Sequence, residues 1–474
     1  MRSGHSSKHA IRWLALPAAL LILAASPAAQ SAKDPDKLVI LSVVDMKGKT
    51  SPCGCHIPKG GFSRQASFAD SIREQYGQVL WVDGGGFFPE TSGKEAVAVF
   101  MMQQMKALGF ATSCVGPRDL SYGLSFLREN VKATGLSVIS SNLYLKASGK
   151  PVFPTTLIKQ VGTVKVGLFS VISDKAALGP SGDSLVVKDP TETAKAMVKE
   201  LRAKGATVVV ALSQLGKVES EDLVTAVDGV DAMVIGMNVP VLQKGRLVKN
   251  TVACYGGEQG QYMGRTILAL DAKRARASGE NETFILSPEV GENEPVLAVV
   301  RAFEAKENER QALLQKEKIA KEVVAAGEAG TTDHYLGAEV CSRCHISEYQ
   351  QWERSPHAKA WESLTASKQE TNNECVSCHV VGFQKAGGFQ NATVTPKMSD
   401  VQCESCHGMG TKHDSFAATP AKVASEVCET CHTKDTSPSF SFDTYKLHVM
   451  HATAANLPPL PKNPAHAKMS GGAK

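Results

Sequence analysis

Four stretches of the chain repeat one arrangement of thiol and imidazole groups. They are Cys341-Ser342-Arg343-Cys344-His345, Cys375-Val376-Ser377-Cys378-His379, Cys403-Glu404-Ser405-Cys406-His407 and Cys428-Glu429-Thr430-Cys431-His432. Each reads C-x-x-C-H, the attachment motif of c-type haem. The spacing has a chemical reason. Two thiols separated by two residues can each form a thioether to one of a porphyrin's two vinyl groups. The His that follows is then held beneath the iron as proximal ligand. A lone C-x-x-C would fit a zinc knuckle or a redox dithiol as well. Four copies between Cys341 and His432 do not, because zinc ribbons need no His after every second Cys. Four c-type haems are expected.

A six-coordinate haem takes its second axial ligand from elsewhere in the chain. Outside the motifs and the first 32 residues, the histidines are His56, His334, His357, His413, His448, His451 and His466. His413 follows the third motif closely. His448 and His451 sit three apart on an expected helix, so at least one of them should ligate. Met409 and Met450 are alternatives, and Met would raise the potential relative to His. With only three distal His available, one haem would be five-coordinate, with an open iron position for small-molecule chemistry.

The haems account for eight of the twelve cysteines and leave Cys53, Cys55, Cys114 and Cys254. Ser51-Pro52-Cys53-Gly54-Cys55-His56 is one residue too short for ordinary haem attachment. A C-x-C pair can bind a soft metal, form a strained and easily reduced disulfide, or carry sulfur. Cys53 and Cys55 are therefore the expected redox or sulfur site, with an inert surface disulfide or unpaired structural thiols as the alternatives. Thiols beside Lys47, His56 and Arg118 would be more acidic and more reactive. Cys114 and Cys254 each read as small buried hydrophobes.

The remaining sequence must position these groups. A length of 474 residues predicts two or three domains. Hydrophobic residues at 43% and charged residues at 21% are ordinary for a globular protein. The formal charge of +5 includes Arg2, Lys8 and Arg12. Two propionates per haem would bring the mature protein to neutral or acidic. No basic run tracks phosphates, so no nucleic-acid partner is expected. Residues 1–32 combine a basic start, an apolar run from Leu14 to Ala25 and small residues, which predicts a cleaved signal peptide and a periplasmic protein. The run holds Pro17 and is too short for a span.

From Leu38 to Pro288 short Val/Ile/Leu-rich strands alternate with helices. Strands are expected at 38–44, 79–82, 112–115, 137–140, 164–171, 207–212, 232–235, 247–255 and 264–271. Helices are expected at 62–75, 94–108, 125–133 and 190–204, the last capped by Asp189 and opened by Pro190. This order predicts an α/β domain over 37–290 with its site at the carboxyl ends of the strands. Residues 294–330 carry Glu–Lys pairs at helical spacing and read as a helical linker. A mainly α, loop-rich haem domain is expected over 334–452, and a disordered tail over 453–474.

Two resemblances refine this reading. From Leu38 to Asp271 the chain resembles the calcineurin-like metallophosphatases, in particular the 5′-nucleotidase branch that includes the thiosulfohydrolase of sulfur oxidation. Asp45, Trp81-Val82-Asp83-Gly84-Gly85-Gly86, Val115-Gly116-Pro117-Arg118-Asp119, Ala211-Leu212-Ser213-Gln214-Leu215-Gly216 and Ile235-Gly236-Met237-Asn238-Val239 fall at that family's five metal-binding blocks. The resemblance implies a sandwich with mixed sheets, and it implies that Cys114 and Cys254 approach the same cleft. It also marks departures: Lys47, Gly86, Pro117, Arg118, Gln214, Met237 and Val239 stand where ligands are expected. Lys and Arg bring cations to that place, and Met and Val are poor ligands for hard metals. No dimetal centre is expected. The separate base-binding domain of the nucleotidases has no room, because the haem motifs follow at once. From Tyr335 to His451 the chain resembles the cytochrome c-554 family, which implies a tetrahaem fold of helices and loops. His357, in Trp352-x-x-Ser355-Pro356-His357, falls at that family's distal-His stretch.

The expected function is electron transfer by an exported tetrahaem cytochrome. The degenerate phosphatase-like domain would serve as a docking or thiol/sulfur substrate module. The alternatives are a multihaem oxidoreductase acting on a small nitrogen or sulfur species at an open haem, and a 5′-nucleotidase-type hydrolase. Expected partners are a redox protein, such as a quinol-linked membrane cytochrome or an outer-membrane cytochrome, and a sulfur or thiol substrate.

Overall fold

The computed structural model describes residues 34–52, 57–89, 93–326 and 333–451, apart from 368, 371, 420–422 and 435. The expected signal peptide, the Cys53/Cys55 pair, His56, His466 and the tail lie outside the described residues.

Among the described residues there are fourteen strands: β1 (Lys37–Val43), β2 (Val79–Asp83), β3 (Thr112–Cys114), β4 (Val138–Ile139), β5 (Leu143–Leu145), β6 (Thr156–Val161), β7 (Val164–Ile172), β8 (Leu185–Val187), β9 (Val208–Gln214), β10 (Ala232–Ile235), β11 (Arg246–Val248), β12 (Thr251–Tyr255), β13 (Tyr262–Leu270) and β14 (Arg276–Ile285). Two six-stranded sheets run β14-β13-β1-β2-β3-β4 and β11-β12-β10-β9-β7-β6. In each, four strands are parallel and the rest antiparallel. The sheets are therefore mixed, as the sequence predicts.

Side-chain alternation along the strands fixes the layers. In β1 and just beyond it, Leu38, Ile40 and Val44 pack between the sheets with Leu80, Leu168 and Val210. Val39, Leu41 and Val43 face the other way, onto α1 (Phe62–Tyr76), α2 (Glu95–Leu108) and α3 (Leu124–Thr134). In β9, Val208, Val210 and Leu212 point inward. Val209 and Ala211 face α4 (Pro190–Ala203) and α5 (Lys217–Ala226). The result is a helix–sheet–sheet–helix sandwich. Both faces of the central strands are buried, so they read in sequence as unbroken apolar runs.

One expected strand divides. Residues 247–255 form β11 and β12, an antiparallel hairpin that turns at Lys249, whose φ is 51°. The long helix α6 (Glu294–Ala326) follows. Its first turns pack on the sandwich through buried Leu297 and Val300 and a stack of Phe303 on Phe100 at 3.9 Å.

The C-terminal region holds eight short helices: α7 (Ala338–Cys341), α8 (Ile346–Glu353), α9 (Ala360–Ala366), α10 (Asn373–His379), α11 (Cys403–His407), α12 (Thr411–Asp414), α13 (Ser425–Glu429) and α14 (Phe442–Val449). Among the described residues its buried apolar cluster is Leu364, Val376, Val380 and Phe389. So small a cluster does not hold together a region of this length; another filling is required.

Candidate functional site

That filling has a place. A cavity of about 2630 Å³ is lined by seven of the eight motif cysteines (all but Cys344) and by His345, His379, His407 and His432. His357, His413, His448 and His451 also line it. It is several times the size of a pocket for one drug-sized ligand.

The imidazoles face one another across it. The ring centroids of His345 and His413 are 6.0 Å apart, those of His357 and His432 6.2 Å, and those of His407 and His451 6.3 Å. Two imidazoles on opposite sides of one metal, each bonded at about 2 Å with its ring centre about 1 Å further on, sit about 6 Å apart. The donor set therefore fits haem with two axial His. His357, His413 and His451 stand opposite motif histidines; His451, which lies past the end of α14 and not on the helix with His448 as expected, is the one that faces His407.

Hydrogen bonds set the ring tautomers. His379 Nδ1–H donates to Ala360 O at 2.7 Å, and His413 Nδ1–H to Ala418 O at 3.2 Å. Each bond leaves Nε2 without its proton, the form that binds iron. The motifs also meet in pairs. Cys341 lies beside Cys403, Cys378 beside Cys431, and Cys406 near Cys428. The spatial order of motifs is thus first, third, fourth, second.

The second candidate site is the cleft at the carboxyl ends of β1, β2, β3, β9 and β10. Its expected ligand positions are engaged with one another. Asp45 Oδ1 accepts from Gln214 Nε2 at 3.2 Å and Asp45 Oδ2 from Asn238 N at 2.9 Å. Lys47 Nζ donates to Asn238 Oδ1 at 2.7 Å and to the Glu258 carboxylate. Asp83 accepts from Ser113 Oγ and from Gly85 N. Asp119 ties three loop amides, Gly86 N at 2.8 Å, Gly116 N at 2.7 Å and Phe88 N at 3.0 Å.

The space for a bridging ligand is taken. A Cβ on Gly86 would lie 2.3 Å from Asp45 Oδ1, and a Cβ on Gly236 2.4 Å from Gln214 Nε2. The Gln214 amide fills the cleft floor. Asp45, Lys47, Met237 and Asn238 all hold positive φ, a concentration of strain typical of ligand sites. Burial pushes Asp83 well above the usual carboxylate range and Asp119 up to about 6. Among the described residues, no group of three or more His, Cys, Asp or Glu is arranged to hold a metal ion.

Cys114 does lie at this cleft, near Asp83 and Asp119, where burial and the carboxylates push its thiol up rather than down. Cys254 does not approach the cleft as the resemblance implied. It is buried against Ser42, with Thr283 and Asn281 around it, because the inward face of β12 meets β1 and β13 there. Ser51, Pro52, Ile57 and Pro58, which flank Cys53 to His56 in the chain, line the large cavity together with the motif residues. Asp400, Gln402 and Glu404 gave no signal in the sequence, since charged and amide side chains between the motifs, or at their variable positions, read as solvated surface.

Residues 340–408 match the family model of cytochrome c554 and c-prime. The haem-motif region resembles cytochrome c-554. The cytochrome c-554 of Nitrosomonas europaea is 38% identical over 91 residues, 16% of this chain and 39% of that protein. The N-terminal region resembles the 5′-nucleotidase-type phosphoesterases. A 2′,3′-cyclic-nucleotide 2′-phosphodiesterase/3′-nucleotidase of Yersinia enterocolitica is 28% identical over 211 residues, 38% of this chain and 32% of that protein. The chain thus spans well under half the length of these relatives. Among solved structures, the calcineurin-like phosphoesterase YfkN of Bacillus subtilis matches with a TM-score of 0.51 at 20% identity, over 57% of this chain and 98% of that one. The sulfate thiohydrolase SoxB of Thermus thermophilus matches with a TM-score of 0.51 at 17% identity, over 57% and 60%. These two share the fold of the sandwich. The cytochrome c-554-like region implies c-type haem and electron transfer. No helix among the described residues is long and apolar enough to cross a membrane.

Proposed function

We propose that the chain is an exported, periplasmic tetrahaem cytochrome that carries electrons, with the phosphatase-like sandwich as its docking or thiol-substrate module. The observation that carries this reading is the set of three facing imidazole pairs at 6.0, 6.2 and 6.3 Å. Cys341/Cys344, Cys375/Cys378, Cys403/Cys406 and Cys428/Cys431 attach the haems, and His345, His379, His407 and His432 are the proximal ligands. His413, His357 and His451 are the distal ligands opposite His345, His432 and His407. Bound, the haems would supply one-electron transfer. The protein's part is to hold the axial imidazoles and to set the spacing.

The sandwich works without a dimetal centre in this reading, which the occupied cleft floor supports. Cys53 and Cys55 are the donor or acceptor site, supported by the flanking residues that line the cavity. Oxidation of a dithiol to a disulfide releases two electrons and two protons, a number that two haems can accept. The partners would be a redox protein of the quinol-linked or outer-membrane kind and a small thiol or sulfur compound.

Mass spectrometry and EPR of the purified protein test this. Four thioether-bound haems are expected, at least three of them low-spin. Fewer than three low-spin haems would overturn the axial pairing. A high-spin fourth haem would favour the oxidoreductase reading, with small-molecule chemistry at iron.

A further inference from the structure

The third motif is attached to more of the molecule than its own haem. The residues from Asp400 to Glu404 reach the supports of all the other motifs. Asp400 Oδ1 accepts from Trp361 N at 2.8 Å, with the amide of the preceding Ala360 close by. The carbonyl of that same Ala360 holds the His379 imidazole. Val401 N donates to His357 O at 3.1 Å, and Val401 O accepts from Trp352 Nε1 at 2.7 Å. Gln402 Oε1 accepts from Ala338 N at 2.6 Å, at the start of the helix that carries Cys341.

Glu404 closes the strap. Its carboxylate accepts from Leu336 N at 2.9 Å, Gly337 N at 2.8 Å and Gly410 N at 2.7 Å. Gly337 leads directly into α7 and the proximal side of the His345/His413 pair. Gly410 leads directly into α12, which carries His413. Thr411 Oγ1 donates to His334 O at 2.6 Å and fastens the same two segments again. Glu404 is 4% exposed. A buried carboxylate is costly unless its oxygens are satisfied, and charge-assisted bonds to three amides are the strong kind. With only four buried apolar residues in the cluster of this region, polar fastening decides the geometry here.

We infer that Glu404, inside the third attachment motif, is the positioning residue that sets the distance between His345 and His413 across the neighbouring haem. The inference rests on the tetrahaem reading. It makes the third motif the common strap from which the other motifs and distal ligands are hung.

The test uses the full-length holoprotein. Glu404→Ala and Glu404→Gln are compared with wild type by intact mass, EPR and redox titration. Wild type carrying four haems upholds the tetrahaem reading, and fewer would sink that reading itself. Glu404→Ala is expected to keep four covalent haems while one low-spin signal is replaced by a high-spin one. The other low-spin signals should stay as they are. Glu404→Gln turns an N–H donor toward one of the three amides and is expected to shift the same single haem's signal and potential. The exposed Glu339→Gln, which loses only its Lys397 pair, should match wild type. If Glu404→Ala assembles with wild-type spectrum and potentials, the inference falls. If it fails to assemble, a wild-type spectrum and potential in Glu404→Gln overturns it instead.

Discussion

At the residue scale, the haem-site geometry comes down to single imidazoles. His357 stands 6.2 Å from His432, ring centre to ring centre. Replacing it with Ala is expected to convert one haem from low-spin to high-spin without loss of covalent haem. Met in the same place should keep the haem low-spin and raise its potential, because thioether sulfur favours the ferrous state relative to imidazole. EPR and potentiometry read both outcomes; a His357→Ala protein with an unchanged low-spin count would remove His357 from the ligand set. The cleft offers a second prediction. Burial raises Asp119 to about 6 in the folded state. The folded protein therefore holds this proton more tightly than the unfolded chain. Stability from this group is greatest below the ordinary carboxylate value and is lost as pH rises toward 6. Denaturant unfolding followed by far-UV circular dichroism should show that decline from pH 4 to 6, and Asp119→Asn should flatten it. Some slope should remain, since Asp83 is raised in the same direction. Asp119→Ala, which strands three buried amides, should cost about 3 kcal/mol. The attachment residues were legible in sequence because thioether chemistry dictates their spacing. The roles of Gln214, Gln402 and Glu404 were not, because a buried and an exposed amide or carboxylate look alike until the packing around them is known.

At the scale of elements, the sandwich strands announced themselves for a physical reason. Strands buried on both faces are apolar nearly throughout: β10 is so at every position, and β7 and β9 depart from it chiefly at Lys165, Ser170, Ser213 and Gln214. The short antiparallel pair β5 and β8 and the helix α5 carried no comparable signal. Each is half exposed, and only Leu215 separates β9 from Gly216, the glycine that opens α5. The hairpin of β11 and β12 was hidden because a single left-handed residue, Lys249, makes the turn without glycine or proline. The helix α6 was legible from its charge pairs, but its anchorage was not. Phe303 lies flat on Phe100 with an interplanar angle of 3°. Glu304 accepts from Thr50 Oγ1 at 2.7 Å and from Ser51 Oγ at 2.5 Å, so the helix also grips the segment that leads to Cys53. Phe303→Ala should destabilise the sandwich by about 2 kcal/mol, less than a fully buried ring because the site is partly open. Chemical denaturation of the sandwich should show that loss while the haem spectrum stays unchanged. A parallel loss of low-spin haem would mean that the two regions fold as one unit.

At the scale of the whole molecule, the order of motifs and the position of the thiol segment combine into one route. The motif contacts run first to third, third to fourth and fourth to second. Ser51, Pro52, Ile57 and Pro58 border the same cavity as Cys341 and His345 of the first motif. In the proposed reading, electrons released at Cys53 and Cys55 enter the haem region on the side where these flanking residues border the cavity. A metal-dependent hydrolase would gain nothing from that arrangement, whereas a redox module needs it. The prediction follows from the chemistry of the pair. With both cysteines changed to Ser, the haem content, spin states and potentials should match wild type, since neither residue attaches or ligates a haem in this reading. Stopped-flow reduction by a small dithiol such as dithiothreitol should slow at least tenfold. Reduction by dithionite, which needs no thiol exchange, should be unaffected and so controls for access to the haems. A single Cys55→Ser chain has no second thiol with which Cys53 can close a disulfide, so it cannot deliver the two electrons of the pair. Its haems should therefore reduce as slowly as in the double variant. Equal dithiol rates in all three proteins would leave the pair structural and confine electron entry to a partner docking at the haem edges.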